Sequence, residues 1–347
     1  MKKRTQDAPG RAHPSVPCLR HANNGGTPSP SAKSKAHAST HHIRPATAAG
    51  VRTPYNQTVT YLVNADLHCH STVSDGTLAP EELAARAHAN GVDLWALTDH
   101  DEVGGQLRAR NAAHALGLDY LTGVEISVTF ADTTVHIVGL GFDAQDPRLI
   151  QGLAATRGGR GARAQEMAQQ LAAAGIDGTY EGALRYVGNP ELISRTHFAR
   201  YLVEIGVCHD TPEVFRRFLT EGHPGFVPHR WAALGDAVRW IREAGGMAVI
   251  AHPARYRFSA NEEYALFSEF KQHGGMGVEV VTGSHTPAEY PVYADMAREF
   301  GLAASRGSDF HSPHESHTDL GALPPLPAGL TPVWELLAER IERAPHP

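Results

Sequence analysis

The chain has 347 residues, of which 41% are apolar, 20% charged and 7% aromatic, enough to build one large core or two modest ones. It has no run of about 18 apolar residues and no apolar signal region near its start, which excludes a membrane-spanning helix and leads to the expectation of a cytoplasmic protein. Its three cysteines, Cys18, Cys69 and Cys208, are too few and too scattered for a disulfide framework or a thiolate zinc site, while 22 histidines stand against a net charge of only −6.

The charge is unevenly placed. Residues 1–60 hold nine Lys/Arg and one acid, so the remainder holds 22 Lys/Arg and 36 acids. The first segment is rich in Pro, Ser, Thr, Gly and Ala and has no apolar period, so it is expected to be a disordered basic tail. Five histidines, including His41 and His42, belong to it and are given no metal role. The acidic remainder lacks the clustered basic face that duplex DNA binding requires.

From Tyr61 onward short β-rich runs alternate with helical stretches. YLVNADLHCH predicts a strand, PEELAARAHANG a helix with Pro80 at its start and Gly91 past its end, and VDLWALTDH a second strand. After a polar helix, YLTGVEISVTF and TTVHIVGLGF read as a strand and a hairpin partner. Residues 152–232 lack strand patterns and predict helices in ARAQEMAQQLAAAG, ELISRTHFARYLVEIG and PEVFRRFLTEG, a helical insert covering the active site. The alternation resumes with strands GMAVIAHP, GVEVV and LAASRGSDFH and helices DAVRWIREAGG and PVYADMAREFG. The fold class is therefore α/β with parallel strands, a barrel at residues 61–151 and 233–347 interrupted by the insert.

The strongest local signal is Asp66-Leu67-His68-Cys69-His70. Residues i and i+2 of a strand project to one face, so both imidazoles reach one cation and Cys69 points away. Asp75 follows in a Ser74-Asp75-Gly76 turn, His100 in Thr98-Asp99-His100-Asp101, and Glu125 in Gly123-Val124-Glu125. His252 and the pair Asp309 and His311 end later strands. A strand-end histidine or a Ser-Asp-Gly turn is commonplace singly, but nitrogen and oxygen ligands recurring at the C-terminal ends of successive strands mark the face where βα-barrels assemble their sites. No GxSxG elbow, Walker A loop or dinucleotide-binding GxGxxG accompanies them.

These motifs, DLHCHSTVSDG, TDHD, GVEIS, AHP and GSDFH, resemble those of the PHP (polymerase and histidinol phosphatase) domain phosphoesterases from about Tyr61 to the C-terminus. VHIVGLGFD, SRTHFARYLVE, GFVP and AHPARY resemble the bacterial branch that hydrolyses 3′,5′-nucleoside bisphosphates and degrades RNA from 5′ to 3′. The resemblance implies a distorted (β/α)7 TIM-like barrel and two or three divalent metals per chain, most commonly manganese, with iron or zinc as the other choices. It assigns His68, His70, Glu125 and Asp309 to one metal, Glu125, His252 and a further histidine to a second, and Asp75, His100 and His311 to a third. The further histidine is His136, if its hairpin reaches over the barrel mouth, or His197 from the insert. Asp99 and Asp101 are expected to orient imidazoles.

In this scheme a metal-bridging hydroxide attacks phosphorus and no protein nucleophile is needed. The resemblance implies phosphate contact for Arg195 and His197, and Arg255 is placed to clamp a second phosphate. The run Arg157-Gly158-Gly159-Arg160-Gly161 reads as a flexible hinge or a phosphate grip, and Trp231, Trp240 and Tyr256 as core or base-stacking residues. The expected substrates are 3′,5′-bisphosphonucleotides and 5′ ends of short single-stranded RNA. A histidinol phosphatase or other small phosphomonoesterase, and a non-catalytic metal-binding module, are the alternatives.

Overall fold

Residues 63–345 are described in the structure, a computed structural model. The expected disordered tail, residues 1–60 with Cys18, lies outside the described residues. β1 (Ala65–Asp66) leads into His68 and His70, and α1 (Pro80–Ala89) follows. Pro80 takes the first helical position, the Glu82 carboxylate accepts from the Ala79 N–H at 2.7 Å, and Gly91 leaves the helix at φ 73°. Next come β2 (Leu94–Trp95), α2 (Gln106–Ala115), β3 (Asp119–Tyr120) and β4 (Gly123–Phe130). β5 (Thr133–Leu140) returns antiparallel to β4 through a tight turn in which Ala131 and Asp132 both have positive φ.

The helical segment starts at Pro147, five residues upstream of the expected boundary, with α3 (Pro147–Arg157), α4 (Arg160–Ala173), α5 (Thr179–Leu184), α6 (Arg195–Glu204) and α7 (Thr211–Val214). α3 packs on the barrel through Leu149 and Leu153. A separate apolar cluster draws its buried residues only from positions 164–227, with Phe198, Leu202 and Leu171 at its centre. β6 (Ala232–Ala233) and α8 (Leu234–Glu243) lead back to β7 (Met247–Ile250), α9 (Ala260–Gln272), β8 (Gly277–Thr282), α10 (Glu289–Phe300), β9 (Ala303–Gly307) and α11 (Val333–Leu336). α9 was not among the helices expected from the sequence.

Parallel β1-β2-β3 and the sheet β6-β4-β5-β7-β8-β9 close into one ring. The Leu67 N–H donates to Arg306 O at 3.0 Å and the Asp309 N–H to His68 O at 2.8 Å, joining β9 to β1. On the other side the Asp101 N–H donates to Glu125 O at 2.8 Å. The ring has β1, β2, the continuous β3–β4 stave, β5, β7, β8 and β9 as its seven staves, with β5 running against its neighbours. The α/β barrel fold is thus as expected. β7 and β8 are buried along their whole length, with helices outside and the barrel core inside. No described helix is long and apolar enough to cross a membrane.

Candidate metal centre

The strand ends are bent into place at a cost. Asp101, in the loop after β2, and His252 and Asp309, each two residues past a strand, have φ of 49°, 25° and 54°, a region costing about 1–3 kcal/mol per non-glycine residue. Gly307 lets β9 approach β1: a Cβ there would lie 2.3 Å from His68 Cβ. Such strain persists only where surrounding contacts over-determine it, and here it clusters around buried ionisable groups.

Glu125 is fully buried at the centre. Its Oε1 lies 2.9 Å from His136 Nδ1, 2.9 Å from His252 Nε2 and 3.3 Å from His68 Nε2, and its Oε2 lies 2.9 Å from His100 Nδ1 and 3.3 Å from His70 Nε2. Asp309 Oδ1 stands 3.4 Å from His70 Nε2 and 3.6 Å from both His68 Nε2 and His311 Nδ1. Asp75 Oδ1 stands 3.4 Å from His311 Nε2 and 3.8 Å from His100 Nε2. All nine residues expected as ligands therefore converge. His70 and His100 face both Glu125 and Asp75, so the geometry does not divide them between separate ions as the sequence scheme did.

Several of these close atoms lack a hydrogen bond: His70 Nδ1, Asp75 Oδ1, His100 Nδ1, Glu125 Oε2, His136 Nδ1 and Asp309 Oδ1 are buried and unpartnered. Buried polar atoms are normally satisfied, and lone pairs converging on a common point without hydrogen-bond geometry are what a cation requires. The donor set fits divalent metal. Cys69 is no part of it: its sulfur faces the opposite side and accepts from Trp95 Nε1 at 3.2 Å.

His136 reaches the centre because β4 and β5 pair Ser127 with His136, lifting the hairpin over the barrel mouth. Its rival His197 joins none of the ligand groups. As the third residue of α6 its Nδ1 accepts from the Ser194 N–H at 3.0 Å, which turns the ring under the helix start and off the cavity wall. His197 does not line the cavity, and its Nε2 is buried without a partner.

The expectation for Asp99 and Asp101 is corrected, for neither meets an imidazole. Asp99 accepts from Ser71 N–H at 2.8 Å and Ser74 Oγ at 2.6 Å, fixing the turn that carries Asp75. Asp101 accepts from the Ser127 N–H at 2.7 Å and from Arg160. The residue that orients imidazole is Glu279, which sequence reasoning missed. Its Oε1 lies 2.8 Å from His68 Nδ1, and its Oε2 accepts from the His252 N–H at 2.7 Å. The available signal was one carboxylate inside the otherwise apolar strand GVEVV.

Electrostatically the site is tightly balanced. Burial opposes ionisation of Glu125, but His136, His68 and His100 hold its carboxyl well below the usual range. Burial likewise disfavours charge on His70, yet Asp309 and Glu125 outweigh it and lift the ring to about 10. His252 goes the other way, to about 3, through burial and then Arg255. The sign of the pH dependence follows. The raised His70 contributes stability that is present below its ordinary 6.5 and lost as pH rises through about 10. The depressed His252 and carboxylates withdraw stability as pH falls. Metal-stripped protein should therefore melt highest near pH 6.5 and lower on both sides. Saturating Mn²⁺ should flatten the alkaline limb, since ligation requires deprotonated rings; a thermal melt series across pH checks both.

Beside the centre lies a cavity of about 110 Å³, several times the roughly 30 Å³ of a liquid water. Arg160, Arg163, Arg195 and Arg255 reach it. Arg195 lines it as expected. Arg255 also donates from Nη1 to Asp309 Oδ2 at 2.9 Å. The Arg157–Gly161 run is not a loose hinge: Arg157 donates to the Asp101 carbonyl at 2.6 Å and Arg160 pairs with the Asp101 carboxylate. Trp240 packs on the barrel core, and the Tyr256 hydroxyl accepts from the His136 N–H at 2.8 Å.

The sequence model of the PHP domain matches residues 66–198. The chain is 50% identical over 282 residues to a 3′,5′-nucleoside bisphosphate phosphatase of Chromobacterium violaceum, an alignment covering 81% of this chain and 99% of that one.

The chain belongs to the PHP family.

The PHP chain is also 40% identical over 278 residues to the 5′-3′ exoribonuclease Rnm of Escherichia coli, covering 80% of this chain and 94% of the relative. Among solved structures, it superposes with a TM-score of 0.79 and 50% identity on a Chromobacterium violaceum protein described as an amidohydrolase with bound sulfate and no metal, over 81% of this chain and 98% of that one.

Proposed function

We propose that this PHP enzyme hydrolyses the 3′-phosphate of 3′,5′-nucleoside bisphosphates and trims short RNA from its 5′ end, using two or three divalent cations, manganese foremost. The observation that carries the reading is the adjacency of a nine-residue nitrogen and oxygen donor cluster to a cavity walled by four guanidiniums. A donor set of six imidazoles and three carboxylates favours Mn²⁺, Fe²⁺ or Zn²⁺ over the harder Mg²⁺ and Ca²⁺. When bound, such cations acidify a water for attack on phosphorus and offset the charge on the phosphoryl oxygens.

The chain's own residues hold and orient. Glu125 presents both oxygens between the imidazoles, and Glu279 keeps His68 Nδ1 occupied so that Nε2 faces inward. Arg195 and Arg255 offer donors to a phosphate that is not cleaved. Of the hydroxyls that line the cavity, Ser127 is engaged with Asp101, Ser194 with Asp75 and Thr134 with Trp231, which supports water rather than a side chain as nucleophile. One chemistry serves both substrates: the 3′-phosphate of a bisphosphate and the first internucleotide linkage of 5′-phosphorylated RNA place the same 3′-linked phosphorus at the same distance from a 5′-phosphate.

Phosphate release is the test. Protein treated with chelator should lose activity on 3′-phosphoadenosine 5′-phosphate and regain it with Mn²⁺. It should prefer that substrate to 3′-AMP by at least about tenfold, the worth of one charge-assisted contact. Equal rates on histidinol phosphate would replace the reading with a general phosphomonoesterase. Fewer than two ions per chain in excess Mn²⁺, with no hydrolysis, would leave a binding module.

A further inference from the structure

The nine donors are not carried with equal firmness. Glu125 and His136 sit inside β4 and β5, whereas Asp75 and His311 stand on the loops after β1 and β9. Asp75 and His311 form one group with His70 and His100, all ligand atoms within 4.8 Å of one another, and His100 and His311 are 14% and 21% exposed where Glu125 is fully buried. This is the outer end of the centre. Its geometry depends on how two loops are held.

Both loops are tied to α6 of the helical insert. His197 and Arg200, three residues apart, share the buried face of that helix. At its start the Ser194 hydroxyl donates to Asp75 Oδ2 at 3.3 Å, and shortly upstream a Cβ on Gly188 would stand 2.4 Å from the Thr72 carbonyl oxygen. Further along α6, Arg200 meets Glu315 in a two-pronged ion pair: Nε donates to Oε1 at 2.9 Å and Nη2 to Oε2 at 2.6 Å, with the Arg200 side chain only 6% exposed. Glu315 in turn belongs to the loop of His311. The neighbouring Ser316 hydroxyl accepts from the His311 N–H at 2.9 Å and from the Ser312 N–H at 3.2 Å, so a restraint on Glu315 passes to the His311 backbone within one residue. The Thr77 N–H, donating to the His311 carbonyl at 2.8 Å, links that loop back to the Asp75 turn.

A buried ion pair is weak as a stabilising element, because desolvating two charges offsets most of their attraction and an apolar pair of similar volume packs as well. What the planar fork adds is a fixed direction and distance. The insert has its own apolar cluster, drawn only from residues 164–227, which holds Phe198 and Leu202 of α6 without help from Glu315. The pair therefore joins two bodies that are each packed already.

We propose that Arg200 and Glu315 are positioning residues through which the helical insert fixes Asp75 and His311, and so sets the affinity of the outermost cation without touching it. The proposal rests on the reading of the donor cluster as a divalent-metal centre. It adds that one site of that centre is complete only when the insert is docked.

The test titrates Mn²⁺ into metal-free wild type, Arg200→Met, Arg200→Lys and Glu315→Gln by calorimetry, reading ions per chain and the affinity of each, with thermal melts of the same metal-free samples. Arg200→Met keeps the buried stem and removes the fork; it should weaken the weakest Mn²⁺ site by about tenfold or more and leave the tightest unchanged. Glu315→Gln should act in the same direction. Arg200→Lys should recover part of the lost affinity, because it keeps the charge without the planar fork. Equal weakening of every site in Arg200→Met, or no change at any, would overturn the proposal, since a residue serving only packing lowers the melting temperature without choosing among ions. If the methionine variant does not fold, Glu315→Gln decides by the same comparison of sites. Wild-type protein that binds fewer than two Mn²⁺ defeats the metal reading itself, and the proposal with it; wild type that binds them and variants that match it defeat the proposal alone.

Discussion

Glu125→Gln is expected to lower hydrolysis of 3′-phosphoadenosine 5′-phosphate by about a thousandfold or more and to reduce the divalent metal retained per chain. The two oxygens of Glu125 lie 2.9–3.3 Å from ring nitrogens of five histidines. No other side chain touches so many of the donors. Glutamine keeps the volume, so the buried position is neither emptied nor overfilled. It removes the negative charge and points an N–H₂ at atoms that must present lone pairs to a cation. The metal-free variant should melt cooperatively, which separates lost chemistry from lost fold. Full rate with full metal content, by elemental analysis of the same preparation, would remove Glu125 from the centre of the reaction.

Glu279→Gln should weaken metal binding or activity by about 10- to 100-fold, the usual cost of losing a group that orients a ligand. Glu279 is 1% exposed in a strand buried at every position. One oxygen selects the His68 tautomer with Nε2 directed inward, and the other pins the His252 backbone at φ 25°. An amide cannot accept at both atoms, so one of these restraints is lost. Glu279→Ala should add a stability loss, because it leaves a buried donor unsatisfied. Mn²⁺ titration of both variants provides the check: a residue serving only the barrel core would lower the melting temperature and leave metal affinity unchanged.

Much of this centre is legible along the chain because its ligands obey local rules. His68 and His70 share a face by the two-residue period of a strand, and His100, His252, Asp309 and His311 sit where predicted strands stop. The alternation of strand and helix patterns carried the barrel, and the helical composition of ARAQEMAQQLAAAG carried α4. Recognition of His136 needed more. Whether it or His197 reached the mouth depended on the register pairing it with Ser127, set by the two-residue turn at Ala131 and Asp132. His197 was taken instead by the N-terminus of its own helix.

The 22 histidines thus separate by position: five in the basic segment, six at the metal centre, and the rest elsewhere. By itself the sequence determined the α/β alternation, the basic and acidic halves, and which strand ends carry nitrogen and oxygen donors, since each follows from neighbours within a few residues. Only the tertiary structure decided that Glu279 rather than Asp99 or Asp101 orients His68, and that Arg163 and Arg195 stand beside the centre with no carboxylate partner among the described residues. These partners are separated by up to 211 positions, as His68 and Glu279 are, and side chains so distant meet only when the ring of strands closes.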